Sequence, residues 1–196
     1  MPKIVDHDER RREVLTAARR VIVRDGIDAA TTRAIAKEAG YSNGVLAHYF
    51  DDKDDILLSA LRQSHQRIRD RLTRRVQGVS GLAALREVLL DNLPLDAERT
   101  QETRLEVSFW SRSLASDHLA EVQRSEAAEL RAAVRALLGE ARDSGEITTE
   151  ENLDDLAEHL LALIDGLSLH LLLYPDRLTR VDLERLLLST LDRLTR

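Results

Sequence analysis

Apolar residues recur every three or four positions along most of the chain, a period that is typical of amphipathic helices. Glycines, prolines and capping residues mark the ends of these segments. The pattern predicts nine helices and no strand. The first runs from a cap at Asp6, with Glu9 completing a capping box, to Gly26, and the fourth runs from Asp52 to Gly78. The others cover 32–39, 43–49, 82–93, 97–115, 117–142, 150–174 and 179–195.

Composition disfavours an all-β fold, in agreement with the all-α class that the helical pattern predicts, and it limits the chemistry. The chain has 196 residues, 43% hydrophobic and only 3% aromatic, and no cysteine. A disulfide scaffold, a zinc finger and a thiol nucleophile are therefore excluded. Charged residues interrupt every apolar stretch, so we expect no membrane span. The N-terminus lacks the apolar core of a signal peptide, which predicts a cytoplasmic protein.

Charge is distributed unevenly between the two parts of the chain. Residues 1–80 hold 16 Lys and Arg against 12 Asp and Glu, whereas residues 81–196 hold 13 against 23. The first part therefore carries a net charge of +4 and the rest −10, within a total of −6. A basic part can approach an anion that an acidic part avoids. Chance clustering of solvated charges is the alternative.

The basic part contains the pattern of a helix-turn-helix. Two short predicted helices, Thr32–Ala39 and Asn43–Tyr49, are joined through Gly40, Tyr41 and Ser42. The turn between such helices can require a positive φ, which glycine adopts without strain. The second helix of this motif enters the major groove of DNA.

The residues around this motif resemble the TetR family of bacterial repressors. The run from Thr31 to Leu57, TTRAIAKEAGYSNGVLAHYFDDKDDIL, is similar to that family's N-terminal signature. Ala47 stands where the family usually has Tyr, and Tyr41 stands where the family signature has Val. The stretch from Ser42 to Phe50 is most similar to the BetI-type branch. The same branch is suggested by a second run, Leu93-Pro94-Leu95-Asp96 followed by Phe109-Trp110.

The resemblance implies a TetR-like fold with two functional parts. Residues 1–51 would form the helix-turn-helix DNA-binding domain, and residues 52–196 a helical domain for ligand sensing and dimerisation. It further implies a transcriptional regulator, most often a repressor, that binds a pseudo-palindromic operator in double-stranded DNA as a homodimer. A small organic effector would release it from the DNA, and the protein would be associated with the nucleoid.

The family's DNA contacts carry over to matching positions of this chain. Arg33 suits a bidentate contact to guanine, and Lys53 suits a phosphate because a cation in the first turn of a helix otherwise opposes its dipole. Solvated or packed side chains are the alternative for these positions. The expected DNA-binding residues are Thr32, Arg33, Ser42, Asn43, Gly44, His48, Tyr49 and Lys53.

A further basic group stands at the start of the first helix. Lys3, Arg10, Arg11 and Arg12 could add nonspecific phosphate contacts, and a solvated helix face explains them equally well.

The last two predicted helices have wide apolar faces. In the TetR family these helices pair with those of the twin subunit, whereas burial within the monomer is the alternative. The residues expected at a dimer interface are Leu156, Leu160, Leu167, Leu171, Leu183, Leu187 and Leu191.

The effector site is expected among the middle helices. An apolar and aromatic site with few polar groups suits a small organic molecule, and the BetI-type branch suggests choline, which Trp110 could hold by a cation–π contact. Plain core packing is the alternative for Phe109 and Trp110. The candidate pocket residues are Phe109, Trp110, Leu114, Asp165, His170 and Tyr174.

The sequence does not predict an enzyme, a metal site or a cofactor. It contains neither a glycine-rich phosphate loop nor a G-x-S-x-G elbow. His159 and His170 would lie about 16 Å apart on one straight helix, too far for one metal ion. The alternative to a DNA-binding regulator is a helical protein–protein adaptor whose helix-turn-helix is not functional.

Overall fold

The computed structural model describes residues 7–195. Within that range it contains nine α-helices and no strand, as the periodicity predicts. The predicted cap at Asp6 lies outside the described residues. The helices are α1 His7–Asp25, α2 Thr32–Ala39, α3 Asn43–Leu46, α4 Lys53–Arg75, α5 Gly81–Asp91, α6 Ala97–Ser113, α7 Asp117–Asp143, α8 Leu153–Leu173 and α9 Arg180–Leu191.

Helices α3 and α9 end several residues earlier than predicted because their last turns tighten. After α3, the amides of His48 and Tyr49 donate to carbonyls three residues back, those of Val45 and Leu46. The same spacing follows α9, where the amide of Leu194 donates to Leu191. Bonds to the third rather than the fourth preceding residue close a narrower turn, so the α-helix does not continue.

The chain forms two compact units. The first comprises the residues up to Arg67 together with Leu105–Leu119. Its buried residues come from α1, α2, the α3 region, the first part of α4 and the second part of α6. They include Val14, Ala18, Val21, Ile35, Leu46, Leu57, Leu61, Leu105 and Phe109. This division describes packing, and the functional boundary after residue 51 stays a prediction.

The second unit comprises Ile68–Arg104 and Ala120–Arg196, with a leucine-rich core. Six of the seven leucines expected at a dimer interface are buried in this core within a single chain, and Leu171 packs against it half-buried. Intramolecular packing therefore already uses these side chains. A role of α8 and α9 in a contact with a second copy stays a prediction. The six buried leucines are Leu156, Leu160, Leu167, Leu183, Leu187 and Leu191.

The second unit also holds a nearly buried cluster of charges. The Arg71 guanidinium donates to both carboxylate oxygens of Asp91, at 2.9–3.1 Å, and to both of Glu102, at 2.7–2.9 Å. The Asp91 side chain is fully buried, and Arg75 lies 3.5 Å from it. The bonds to Glu102, and then those to Asp91, raise the pKa of Arg71 above its ordinary value. This cluster ties α4, α5 and α6 together.

Helix α8 is more apolar than expected from the charges that interrupt its sequence. Its most apolar 18-residue window has a mean hydropathy of 1.5, so by length and composition alone α8 could cross a membrane. The expectation of no membrane span rested on the charges that interrupt this sequence, and it stays a prediction. Core helices of soluble proteins pass the same test, and α8 contributes seven buried residues to its unit. Only 33% of that window is buried, which leaves apolar surface uncovered in the single chain.

Candidate nucleic-acid interface

The turn between α2 and α3 is defined by local chemistry. Thr31 caps α2, since its hydroxyl accepts a hydrogen bond from the Ala34 amide at 3.1 Å. Gly40 ends α2 with φ = +76°, as the sequence predicts. The Tyr41 amide then donates to the Ala36 carbonyl at 2.9 Å, which completes a Schellman motif. The chain therefore reverses direction sharply just before α3.

Helix α2 is attached to α1 by ion pairs. Glu38 accepts from Arg20 and from Arg24, each at 2.9 Å. The hydrogen bond from Arg24, followed by that from Arg20, lowers the pKa of Glu38. Exposed pairs of this kind contribute little stability. They add contacts between α1 and α2 on the solvent side.

The expected DNA-binding residues lie in one segment of the first unit, and most are accessible. Thr32, Tyr49 and Lys53 are half-buried, and the other five are exposed. Ser42 precedes α3 at its N-cap position, and its side chain makes no capping bond. A Cβ placed on Gly44 would meet only the Ser42 Oγ, at 3.9 Å. The start of α3 is thus open to an incoming molecule.

Lys53 begins α4 among carboxylates that are engaged with other groups. Asp54 pairs with Arg112 at 2.7 Å, and Asp55 accepts from the Asp51 amide at 3.1 Å. The Lys53 ammonium nitrogen lies 3.5 Å from the Asp28 carbonyl oxygen, a long hydrogen bond. These contacts leave the ammonium group weakly held, which suits a group that meets a phosphate.

The structure separates the members of the N-terminal basic group. Lys3 lies outside the described residues. Arg10 stacks over the Tyr41 ring, with 5.8 Å between its Cζ and the ring centroid, and Arg12 donates to the Asp8 carbonyl at 3.2 Å. Arg11 points towards the interior of the unit and contacts the end of the α3 region.

The inward role of Arg11 is absent from the sequence predictions, although a signal existed. Arg11 lies three residues before Val14 and seven before Ala18, both fully buried. Residues at this spacing share one helix face, so the helical period placed Arg11 on the buried side.

Tyr41 also has a specific environment. Its hydroxyl donates a hydrogen bond to the Glu13 carboxylate on α1. This bond raises the pKa of Tyr41. The contact attaches the residue before Ser42 to α1.

The six candidate pocket residues fall in both compact units. Phe109 is fully buried, Trp110 is half-buried and Leu114 is 91% exposed, all in the first unit. In the second unit His170 and Tyr174 are exposed and stack edge to face, with ring centroids 5.4 Å apart. Asp165 is also exposed. A pocket that joins these residues stays a prediction.

No group of three or more metal-ligating side chains occurs among residues 7–195.

Comparison with known proteins gives two family matches. Residues 14–60 match the model described as bacterial regulatory proteins of the tetR family. Residues 81–196, more than half of the chain, match the C-terminal region of BetI-type transcriptional repressors.

Individual relatives support the same assignment over nearly the whole length. The chain is 31% identical to the HTH-type transcriptional regulator PksA of Bacillus subtilis, over 96% of this chain and 91% of PksA. A transcriptional regulator from a Rhodococcus species has a crystal structure similar to this one, with 29% identity and a TM-score of 0.83 over 94% of this chain and 95% of that chain. A regulator from Saccharomonospora viridis, solved in complex with choline, matches with a TM-score of 0.89 and 24% identity over 94% and 96% of the two chains.

Proposed function

Because the chain belongs to the TetR family of transcriptional regulators, with a BetI-type C-terminal region, we propose that it is a repressor released by a small molecule. As a homodimer it binds a pseudo-palindromic operator in the cytoplasm, associated with the nucleoid. The observation that carries this proposal is the open start of α3. There Ser42, Asn43 and Gly44 are exposed, and no capping bond occupies the Ser42 side chain.

Gly44 supports a close approach of DNA to the backbone. Its φ is not positive, and a Cβ there would meet only an ordinary contact at 3.9 Å. The chain's own packing therefore does not require glycine. A phosphate or a base edge lying against this backbone supplies the reason, because a glycine allows close approach.

We assign sequence specificity to Arg33 and affinity for the DNA backbone to Lys53. Arg33 is exposed on α2, and its planar guanidinium suits a bidentate contact to guanine. Lys53 acts as a point charge on a phosphate. Thr32, His48 and Tyr49 complete the proposed surface with polar side chains that suit the DNA backbone.

Dimerisation is supported by apolar surface that the single chain leaves uncovered. Leu173 is 58% exposed at the end of α8, and Val181 is 73% exposed at the start of α9. Val181 and Leu188 also line an open groove of about 530 Å³ along α9, whose other lining residues are charged or polar. We assign the dimer contact to these outer faces, with Leu171, and leave the six buried leucines to the monomer core. Two-fold symmetry would place the two recognition helices about 34–36 Å apart, or a multiple of that.

The effector is a small organic molecule, and an organic cation is the first to test. The Saccharomonospora viridis protein binds choline in its crystal structure. In this chain the half-buried Trp110 offers an aromatic face, which attracts a quaternary ammonium group. Effector and operator must prefer different conformers of the protein, so each weakens binding of the other by the same factor.

Selection of genomic fragments by the purified protein, followed by fluorescence anisotropy across a salt series, tests the proposal. We expect Lys53→Ala to weaken binding to all sequences alike and to lower the slope of log K against log[salt] by about 0.9 for each phosphate that is no longer neutralised. We expect Arg33→Ala to relax specificity at one base pair per half-site by about 1–3 kcal/mol.

Arg124→Ala is the matched control. It removes the same charge from α7, where Arg124 pairs with Glu121 at 2.7 Å, and we expect unchanged affinity and slope. Choline added to the complex then tests release. If no fragment is bound by the unmodified protein at any salt concentration, the proposal fails and the adaptor alternative stands.

A further inference from the structure

Arg11 of α1 joins three parts of the first unit. One terminal nitrogen donates to the Tyr49 carbonyl at 2.7 Å, and the other donates to the Ser59 hydroxyl at 2.9 Å. Its Cζ lies 4.4 Å from the centroid of the Phe50 ring, which is itself buried. One side chain thus bonds to the turn after α3 and to α4, and it stacks on the residue between them.

The network continues from Ser59 to the start of α4. The Ser59 hydroxyl donates to Asp55 at 3.2 Å. The second Asp55 oxygen accepts from the Asp51 amide at 3.1 Å. The Asp55 amide in turn donates to Asp52 at 2.8 Å. Every residue from 49 to 52 is therefore linked, directly or through a neighbour, to the Arg11 guanidinium.

This network fixes the residues that the proposed function assigns to the DNA backbone. Tyr49 is held through its own carbonyl, and its ring packs against His7 at a tilt of 50°, with 4.4 Å between centroids. Lys53 follows directly on the linked turn and begins α4. A shift in this turn would therefore move Tyr49 and Lys53 together. Phosphate contacts require a defined register on the duplex, so such a shift lowers affinity.

The same geometry is unsuited to a phosphate contact by Arg11 itself. Both terminal nitrogens donate to partners within the unit, and one face of the guanidinium covers an aromatic ring. Contact with DNA would exchange charge-assisted hydrogen bonds for a phosphate and leave the Tyr49 carbonyl short of a donor. The sequence left a phosphate contact and a solvated helix face equally open for Arg11, whereas its contacts in the structure are internal.

We propose that Arg11 is a positioning residue for DNA binding: it fixes the turn between the recognition helix and α4, and so places Tyr49 and Lys53 against the phosphates. This inference rests on the proposed function, since it concerns how the same surface meets DNA. Arginine is suited to the role because its planar fork reaches two acceptors while its face stacks. Lysine carries the same charge, but it has neither a planar fork of N–H donors nor a flat face that can stack on a ring.

The test compares Arg11→Lys with Arg11→Met by anisotropy on the selected operator, across a salt series. Removal of a charge-assisted hydrogen bond predicts that both variants bind about ten- to a hundredfold more weakly. Both should keep the salt slope of the unmodified protein, because Arg11 itself neutralises no phosphate. Arg62→Met removes a charge from an exposed position on α4 and serves as the control for net charge.

Hydrogen exchange gives a readout that does not depend on DNA. Amides of residues 49–55 should exchange faster in both Arg11 variants, while those of Ala17, Val21 and Ile22 in the α1 core keep their protection. Ser59→Ala removes one arm of the network and should show the same change in smaller degree. This milder variant carries the test if Arg11→Met does not fold.

A different pattern would overturn the assignment. If Arg11→Lys binds within twofold of the unmodified protein and Arg11→Met lowers the salt slope by about 0.9, the value for one phosphate, Arg11 is a phosphate ligand. Unchanged affinity in both variants also overturns it. If the unmodified protein binds no DNA, the proposed function fails. The hydrogen-exchange data then decide separately whether Arg11 stabilises the turn. Unchanged amide exchange rates at residues 49–55 would refute that role.

Discussion

Replacement of Arg71 by Met should strongly destabilise the second unit. Arg71 is the shared partner of two carboxylates, of which Asp91 is fully buried and Glu102 is 6% exposed. Without the guanidinium these charges stay buried and unpaired. Breaking one side of a buried ion pair costs about 3–5 kcal/mol. Arg75 lies 3.5 Å from Asp91 and compensates in part, so we expect a loss of about 3 kcal/mol.

Urea unfolding at pH 7, followed by circular dichroism, measures this loss. The triple variant Arg71→Met, Asp91→Asn, Glu102→Gln keeps similar volume and removes all three charges. We expect it to recover part of the stability, because the two buried negative charges are removed while the buried Asn and Gln amides still lack full partners.

Two results would refute this reasoning. A loss below about 1 kcal/mol in Arg71→Met would mean that water reaches the carboxylates and that the cluster behaves as a surface pair. A triple variant less stable than the single one would mean that the residual hydrogen bonds, and not the charges, determine the energy.

Three further changes test other parts of the structure. Gly40→Ala should lower the free energy of unfolding by about 1–2 kcal/mol, because φ is +76° while a Cβ there meets nothing within 4 Å. Thermal unfolding measures this loss. A larger loss, of the size that a steric clash causes, would contradict backbone strain as the cause. Phe109→Ala should cost about 3–5 kcal/mol, whereas Leu114→Ala, at a 91% exposed position, should stay within about 0.5 kcal/mol. The hydrogen bonds from Thr179 hold the pKa of Asp182 at about 2, against an ordinary value of 3.8. Its stabilisation is therefore present above pH 3.8 and lost as pH falls towards 2, so the stability gap between the unmodified protein and Asp182→Asn should close over that range in acid titrations.

Local features were predictable from the sequence because their partners lie within a few residues. Thr31 and Gly40 mark both ends of α2 through capping and a positive φ, and the structure confirms both. The helical period likewise locates the buried leucines of α8 and α9. It does not reveal whether the chain itself or a second copy covers them, because both alternatives produce the same spacing.

Contacts between residues distant in sequence could not be predicted in this way. Arg112 and Asp54 are 58 positions apart, and Arg71 and Glu102 are 31 apart. Nothing in either local stretch indicates its partner. For the DNA-binding segment, the turn geometry was predictable from the sequence, and so was the inward position of Arg11; its partner Tyr49, 38 positions away, was not. The contacts of Arg33 and Lys53 with DNA stay predictions until binding is measured.

The inclusion of Leu105–Leu119 in the first compact unit has a consequence for chimaeras that exchange DNA-binding domains between regulators. A chimaera that takes only residues 1–51 from this chain would lack the α6 segment with which those residues pack here. It would lack the fully buried Leu105 and Phe109, and Arg112 would no longer pair with Asp28 at 3.7 Å. A transplant that keeps this packing has to carry two separate stretches of sequence.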